Sequence, residues 1–142
     1  MKFWDASAVV PLLVGEPLTS KVTDLYREDS VLLVWWGTEV ECTSTLARLE
    51  RTGHLDADSM SACIVRLREI TRSWSEIEPS SAVKEVALRL LRVHDLRAAD
   101  SLQLSAALVA SENRQSALDF VCLDRRLALA AQREGFTVVD LA

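Results

Sequence analysis

The chain has 142 residues, enough for one domain with a real core, and 49% of them are hydrophobic, which excludes a disordered protein. Its formal net charge of −5 argues against nonspecific nucleic-acid binding through a broadly basic surface, while leaving room for a local basic groove. Cys42, Cys63 and Cys122 are odd in number, far apart and set in apolar segments, so they read as reduced, buried thiols; with only His54 and His94 beside them, zinc is not expected.

In chain order, Phe3-Trp4 runs into Asp5 as a short strand, and the apolar stretch 8–14 follows as a helix. That stretch is too short to cross a bilayer, is interrupted by Pro11, and meets Gly15-Glu16 where a signal peptide would have small residues, so the expectation is a cytoplasmic protein with no membrane partner. A helix over 19–28 is entered through Glu16-Pro17-Leu18-Thr19. The wholly apolar run 31–34 has the character of a strand buried on both faces of a parallel sheet. Thr38 opens a helix that stops at Gly53, with Glu41 placed three residues on as a capping-box partner. Another helix starts at Asp56 or Asp58 and runs to Arg72, and 74–77 is a short edge strand ended by Pro79.

Ser80 or Ser81 then caps a helix that carries Val83, Val86, Ala87, Leu90 and Leu91. The segment 98–110 is apolar on nearly every side, apart from Asp100, Ser101, Gln103 and Ser105, as a central buried helix should be. A strand over 120–123, a helix from Asp124 to Glu134 stopped by Gly135, and a last strand over 136–139 complete the pattern. Strands alternating with helices give one α/β domain, 1–142, with a parallel sheet and right-handed crossovers.

Three acids fall where such a sheet places ligands, outside the carboxyl ends of its strands, and a fourth joins them differently. Asp5 follows the first strand, Glu41 lies early in the helix after the second, Asp124 follows the strand 120–123, and Asp100 starts the buried helix. Taken singly, each has an ordinary explanation as a helix cap: Asp5 and Asp124 as N-caps, Glu41 as the partner of Thr38, Asp100 with Gln103. Together they cost more, since two carboxylates about 4 Å apart repel by roughly 4 kcal/mol at an effective dielectric of 20. A hard divalent cation with oxygen ligands, Mg²⁺ or Mn²⁺, relieves that repulsion, and such ions suit phosphodiester hydrolysis.

The stretches Asp5-Ala6-Ser7-Ala8, Glu41 followed by Leu46 and Arg48, Leu96-Arg97-Ala98-Ala99-Asp100-Ser101-Leu102, Leu123-Asp124-Arg125-Arg126-Leu127 and Arg133-Glu134-Gly135-Phe136 together resemble the PIN-domain family, and within it the VapC-type toxins of bacterial toxin–antitoxin pairs. The resemblance spans almost the whole chain. It implies a PIN-like three-layer fold with a parallel sheet ordered 3-2-1-4-5 and flanked by helices. It also implies Mg²⁺- or Mn²⁺-dependent endoribonuclease activity on an RNA substrate, a homodimer, and a small cognate VapB-like antitoxin. Matched position by position, Asp5, Glu41, Asp100 and Asp124 form the family's acidic quartet, as catalytic and metal-binding residues, and Ser7, similar to the hydroxyl residue that supports the metal end of the site, is expected to contact substrate. Leu123 departs from the pattern, since many members carry Ser or Thr just before the last Asp.

Glu39 competes with Glu41. On a helical wheel Glu39 lies nearer the apolar stripe of Cys42, Leu46 and Leu49 and Glu41 on the polar side; periodicity does not choose, whereas the family's spacing to Leu46 and Arg48 selects Glu41. Arg125 and Arg126, in the first turn of a helix, are expected to bind a substrate phosphate, though solvated surface arginines would read the same. Trp4, Trp35, Trp36 and Trp74 offer more large apolar surface than one core needs, in keeping with a dimer, although one core could bury them all. Rival readings are a receiver-like signalling domain, which lacks its adjacent acidic pair and its late Lys (none follows Lys84), and an Asp-nucleophile phosphatase, which would need an acid where Ser7 stands. A dinucleotide-binding turn would need glycines in place of Ala6-Ser7-Ala8, and a catalytically silent PIN fold remains the serious alternative.

Overall fold

A computed structural model describes residues 1–15 and 19–141. Strand β1 (Lys2–Trp4) leads into helices α1 (Ala6–Val9) and α2 (Pro11–Val14), followed by α3 (Thr19–Glu28), β2 (Leu32–Trp35), α4 (Thr38–Arg51), α5 (Ala57–Thr71) and β3 (Ser75–Ile77). Then come α6 (Ser81–Val93), α7 (Ala98–Ser111), a 3-10 turn (Gln115–Ala117), β4 (Asp119–Val121) and α8 (Arg125–Arg133). The helix expected over 8–14 is divided at Pro11, whose missing N–H breaks the ladder and which opens α2 instead. The entry to α3 through Glu16, Pro17 and Leu18 lies outside the described residues.

Among the described residues the sheet has four strands, all parallel, in the order β3-β2-β1-β4. The expected fifth strand is reduced to one bridge: Phe120 N–H donates to Thr137 O (2.9 Å) and Val139 N–H to Phe120 O (2.9 Å). Its start is delayed because Gly135, at φ +103°, turns the end of α8 and Phe136 donates its N–H to Ala131 O (3.0 Å) while its ring enters the core. The bridged segment still occupies the fifth place beside β4, so the order is 3-2-1-4 followed by this remnant.

Alternation along the strands builds three layers. Trp4, Leu32, Val34 and Val121 face one side and pack with Val9, Val22, Leu25, Cys42, Leu67 and Ile70. Phe3, Leu33 and Phe120 face the other and pack with Val83, Leu90, Leu104, Ala107 and Leu127. Helices α1 to α5 therefore cover one face and α6 to α8 the other. Trp4, Trp35 and Trp74 are buried, while Trp36 stays 49% exposed, so most of the indole surface is absorbed by this one chain. All three cysteines are free and buried. Among the described residues no helix is long and apolar enough to cross a membrane.

Neither expected capping box forms in full. Gly37 precedes α4 with no side-chain cap, and a Cβ there would lie 2.6 Å from Trp35 Nε1, so a larger residue would have to displace that indole. Thr38 is buried and turns its hydroxyl to Gln103. In α7 the N-cap is Arg97, and Asp100 reaches back toward its backbone N–H; Gln103 takes no part in that cap.

Candidate functional site

Parallel strands put their carboxyl ends on one edge, and β1, central in the sheet, delivers Asp5 to the middle of it. Asp5 N–H continues the ladder to Val121 O (3.1 Å), after which the chain turns into α1. One carboxylate oxygen of Asp5 accepts the Ser7 N–H, and the other accepts Ser7 Oγ (3.0 Å) and Cys122 Sγ (2.9 Å). Ser7 Oγ in turn accepts Leu123 N–H (2.9 Å), which ties the ends of β1 and β4 together. Asp5 is only 3% exposed, and burial, reinforced by the charge of Asp124, pushes its pKa up to about 6 against these hydrogen bonds. Burial, with Asp5 alongside, also pushes the Cys122 thiol up, so it remains a protonated donor. Ser7, expected beside the substrate, thus spends its hydroxyl on Asp5 and Leu123, although it also lines the cleft described below.

Asp124 caps α8, its Oδ1 accepting Leu127 N–H (3.0 Å). The helix-borne acids are placed differently. Glu41, in the first turn of α4, accepts Gln103 Nε2 on Oε2 (2.6 Å). Burial raises it to about 7; the Gln103 hydrogen bond opposes the shift, and the charges of Asp5 and Asp100 add to it. Asp100 is raised by burial and by Asp124, with Arg97 and Arg126 pulling the other way.

All four acids line one cleft of about 940 Å³. Residues 41, 44, 45 and 48 of α4 form one wall, at the i, i+3, i+4, i+7 spacing of a single helix face. The polar side of the wheel is therefore the cleft side. Glu39 lines a second, shallow groove with Val40, Thr43 and Ala47, which meets the cleft only at Ser44. Arg125 and Arg126 line the cleft with Arg97 and Arg48, and Arg126 Nε lies 3.6 Å from Asp95 Oδ2. Glu134, bound by Arg89 (2.8 Å) and His94 (2.7 Å), anchors the end of α6 from which the chain passes through Arg97 into α7.

Among the described residues no three His, Cys, Asp or Glu side chains converge as a ready-made metal cage. Asp5 is turned to Ser7 and Cys122, Glu41 to Gln103, and Asp124 to a helix N-terminus. The donor set nonetheless fits a hard cation: every acid offers oxygen, and the carboxyls repel one another across the cleft. Mg²⁺ in particular is held through one or two carboxylates plus waters and substrate phosphate instead of an all-protein cage.

Two residues of the site were not singled out by sequence. Gln103 left a trace, as a polar residue in an otherwise apolar helix, but read as a cap. Cys122, inside an apolar strand, left none.

No family model matches the chain. Two curated relatives from Mycobacterium tuberculosis, Ribonuclease VapC45 and Ribonuclease VapC49, are each 29% identical over 145 residues, covering 96% of this chain and 92% of theirs. Among solved structures, PAE2754 from Pyrobaculum aerophilum has a TM-score of 0.67 at 22% identity, covering 97% of this chain and 83% of its own. FitAcB from Neisseria gonorrhoeae also has a TM-score of 0.67, at 15% identity, covering 99% and 98%. At such identities the structural likenesses bear on the fold alone. With the full-length sequence likeness, they carry the VapC-type PIN resemblance read from the motifs.

Proposed function

We propose that this VapC-type PIN-fold chain is a divalent-metal-dependent endoribonuclease, the toxin of a toxin–antitoxin pair. The observation that supports it is the gathering of Asp5, Glu41, Asp100 and Asp124 around one cleft, two of them with pKa values raised to about 6 and 7. The names of the relatives point to the same activity. Asp5 and Asp100 would hold Mg²⁺ or Mn²⁺, with Glu41 completing the site and Asp124 acting through water or a second ion. The ion would supply charge at the scissile phosphate and make bound water more acidic. Glu41, with its pKa near neutrality, can take a proton from the attacking water. Arg125 and Arg126, at the start of α8, meet phosphate charge together with the unpaired N–H groups of a first turn.

The same reading gives the chain a small VapB-like antitoxin as partner, a homodimeric state and a place in the cytoplasm, where three free thiols would persist. Purified protein should cleave RNA with Mg²⁺ or Mn²⁺ and stop when the ion is chelated; Asp5→Asn and Asp100→Asn should be inactive. Cleavage that survives either substitution, or chelation, would refute the proposal.

A further inference from the structure

Gln103 sits in α7, the helix with the most extensive burial, and is itself only 1% exposed. A buried amide is destabilising wherever a donor or acceptor is left unmet, so an apolar side chain of similar volume would be the simpler filling. This amide is bonded to the first turn of α4 at two points. Its Nε2 donates to Glu41 Oε2 (2.6 Å) and to Thr38 Oγ1 (3.1 Å), and Thr38 Oγ1 lies 3.4 Å from Gln103 Oε1. Thr38 is fully buried, one helical turn before Glu41. The hydroxyl thereby fixes the amide, and the amide fixes the carboxylate.

Gln103 also follows Asp100 by one turn on the same helix. Helix α7 thus supplies one acid of the cleft and holds the acid that α4 supplies to it. We infer that Gln103 is the positioning residue of Glu41: it holds that side chain toward the cleft, and by occupying Oε2 it reserves the other oxygen for a cation. The chemistry is one-sided, because an amide N–H can donate to a carboxylate and has nothing to accept from it. This inference rests on the metal-dependent reading of the cleft.

The test is Mn²⁺ affinity, measured by titration calorimetry without RNA, alongside metal-free thermal unfolding of each protein. Gln103→Met should bind Mn²⁺ roughly tenfold to a hundredfold more weakly than the unsubstituted protein, the scale on which losing an outer hydrogen-bond partner acts. Ser105→Ala is the control for a structural effect, since it removes another buried hydrogen bond of α7, from Ser105 Oγ to Val83 O (2.5 Å), away from the cleft. It should melt earlier yet bind Mn²⁺ normally. Unchanged affinity in Gln103→Met, or an equal loss in Ser105→Ala, overturns the inference. Should Gln103→Met not fold, Thr38→Val stands in for it under the same two criteria. Weakening in Glu41→Gln but not in Gln103→Met sinks the positioning role alone, whereas no Mn²⁺ binding by the unsubstituted protein sinks the metal reading and this inference with it.

Discussion

The acids at the strand ends and the acids on the helices reach the same cleft by different means. Asp5 and Asp124 accept backbone N–H groups two and three residues ahead of themselves, so each is at once a helix cap and a wall of the cleft. Glu41 takes its hydrogen bond from Gln103, 62 residues away, and caps nothing. Asp124 carries its geometry in its own neighbourhood, and Asp5 does so in part, with Cys122 added from 117 residues away, while Glu41 receives its geometry from tertiary packing. For Asp5 and Asp124, capping and site membership are therefore compatible roles of one carboxylate.

The largest expected effect separates Glu41 from its neighbour. Glu41→Gln should lower RNA cleavage by at least about 10²-fold, in the range seen when a group that stabilises developing charge is removed. Glu39→Gln, whose side chain belongs to the outer groove with Val40 and Thr43, should cleave normally. The reverse result would break the contrast, because tertiary placement would then have misidentified the helix acid.

This contrast also marks what could be read from sequence. The alternation of strands and helices and the buried character of α7 were legible from local pattern: apolar runs, cap residues, turn glycines. Asp5, Asp100 and Asp124 stood out by their places at element ends, whereas Glu41 was chosen over Glu39 only through the family's spacing. The order of the strands followed from the family resemblance, and its fifth member faded because Phe136 is drawn into the core before pairing can begin. Thr38 and Gln103 were legible only as caps, since their mutual bond joins residues 65 apart in sequence. Cys122 could not be distinguished from any core thiol until β4 brought it to Asp5.

A second expectation concerns pH and metal. Asp5 titrates in the folded protein at about 6 against an ordinary 3.8, and Glu41 at about 7 against 4.5, so the native state holds protons that the unfolded chain has released. Their stabilising contribution is complete below the unfolded values and is lost as pH rises through 6 and 7. For Asp5 this amounts to about 3 kcal/mol in all, of which roughly 1 kcal/mol falls between about pH 5 and pH 8. Asp29 and Glu134 are shifted downward, so their contributions change at lower pH and leave that window clear. Metal-free urea unfolding should therefore show stability falling from about pH 5 to pH 8. Mn²⁺ should restore it in the unsubstituted protein and much less in Asp5→Asn. A flat metal-free profile would mean that the strand-end acid is not under strain.

Smaller again is the effect of the arginines. Replacing Arg125 and Arg126 together by Ala should weaken RNA binding and flatten its salt dependence by about 1.4 in logarithmic slope, the share of two phosphate contacts on a single strand. Mn²⁺ affinity should be unchanged. Equal RNA affinity at low salt would leave both side chains as surface arginines, with Arg126 serving only Asp95.

The smallest effect tests whether Asp124 does hold two roles. Ser80 is a cap away from the cleft, its Oγ accepting Val83 N–H (3.2 Å) at the start of α6, so Ser80→Ala should cost about 1 kcal/mol and no activity. Asp124→Ala removes an equivalent bond to Leu127 N–H, but it also removes a charge that raises both Asp5 and Asp100. The two consequences oppose each other in metal-free protein, so Asp124→Ala should cost less than Ser80→Ala. Asp124→Asn, which still caps, should be neutral or slightly stabilising. Saturating Mn²⁺ removes the repulsion, and with it the advantage: Asp124→Ala should then lose at least as much stability as Ser80→Ala. Equal losses in both proteins without metal would make Asp124 an ordinary cap, leaving Asp5 the one strand-end acid that the cleft holds under strain.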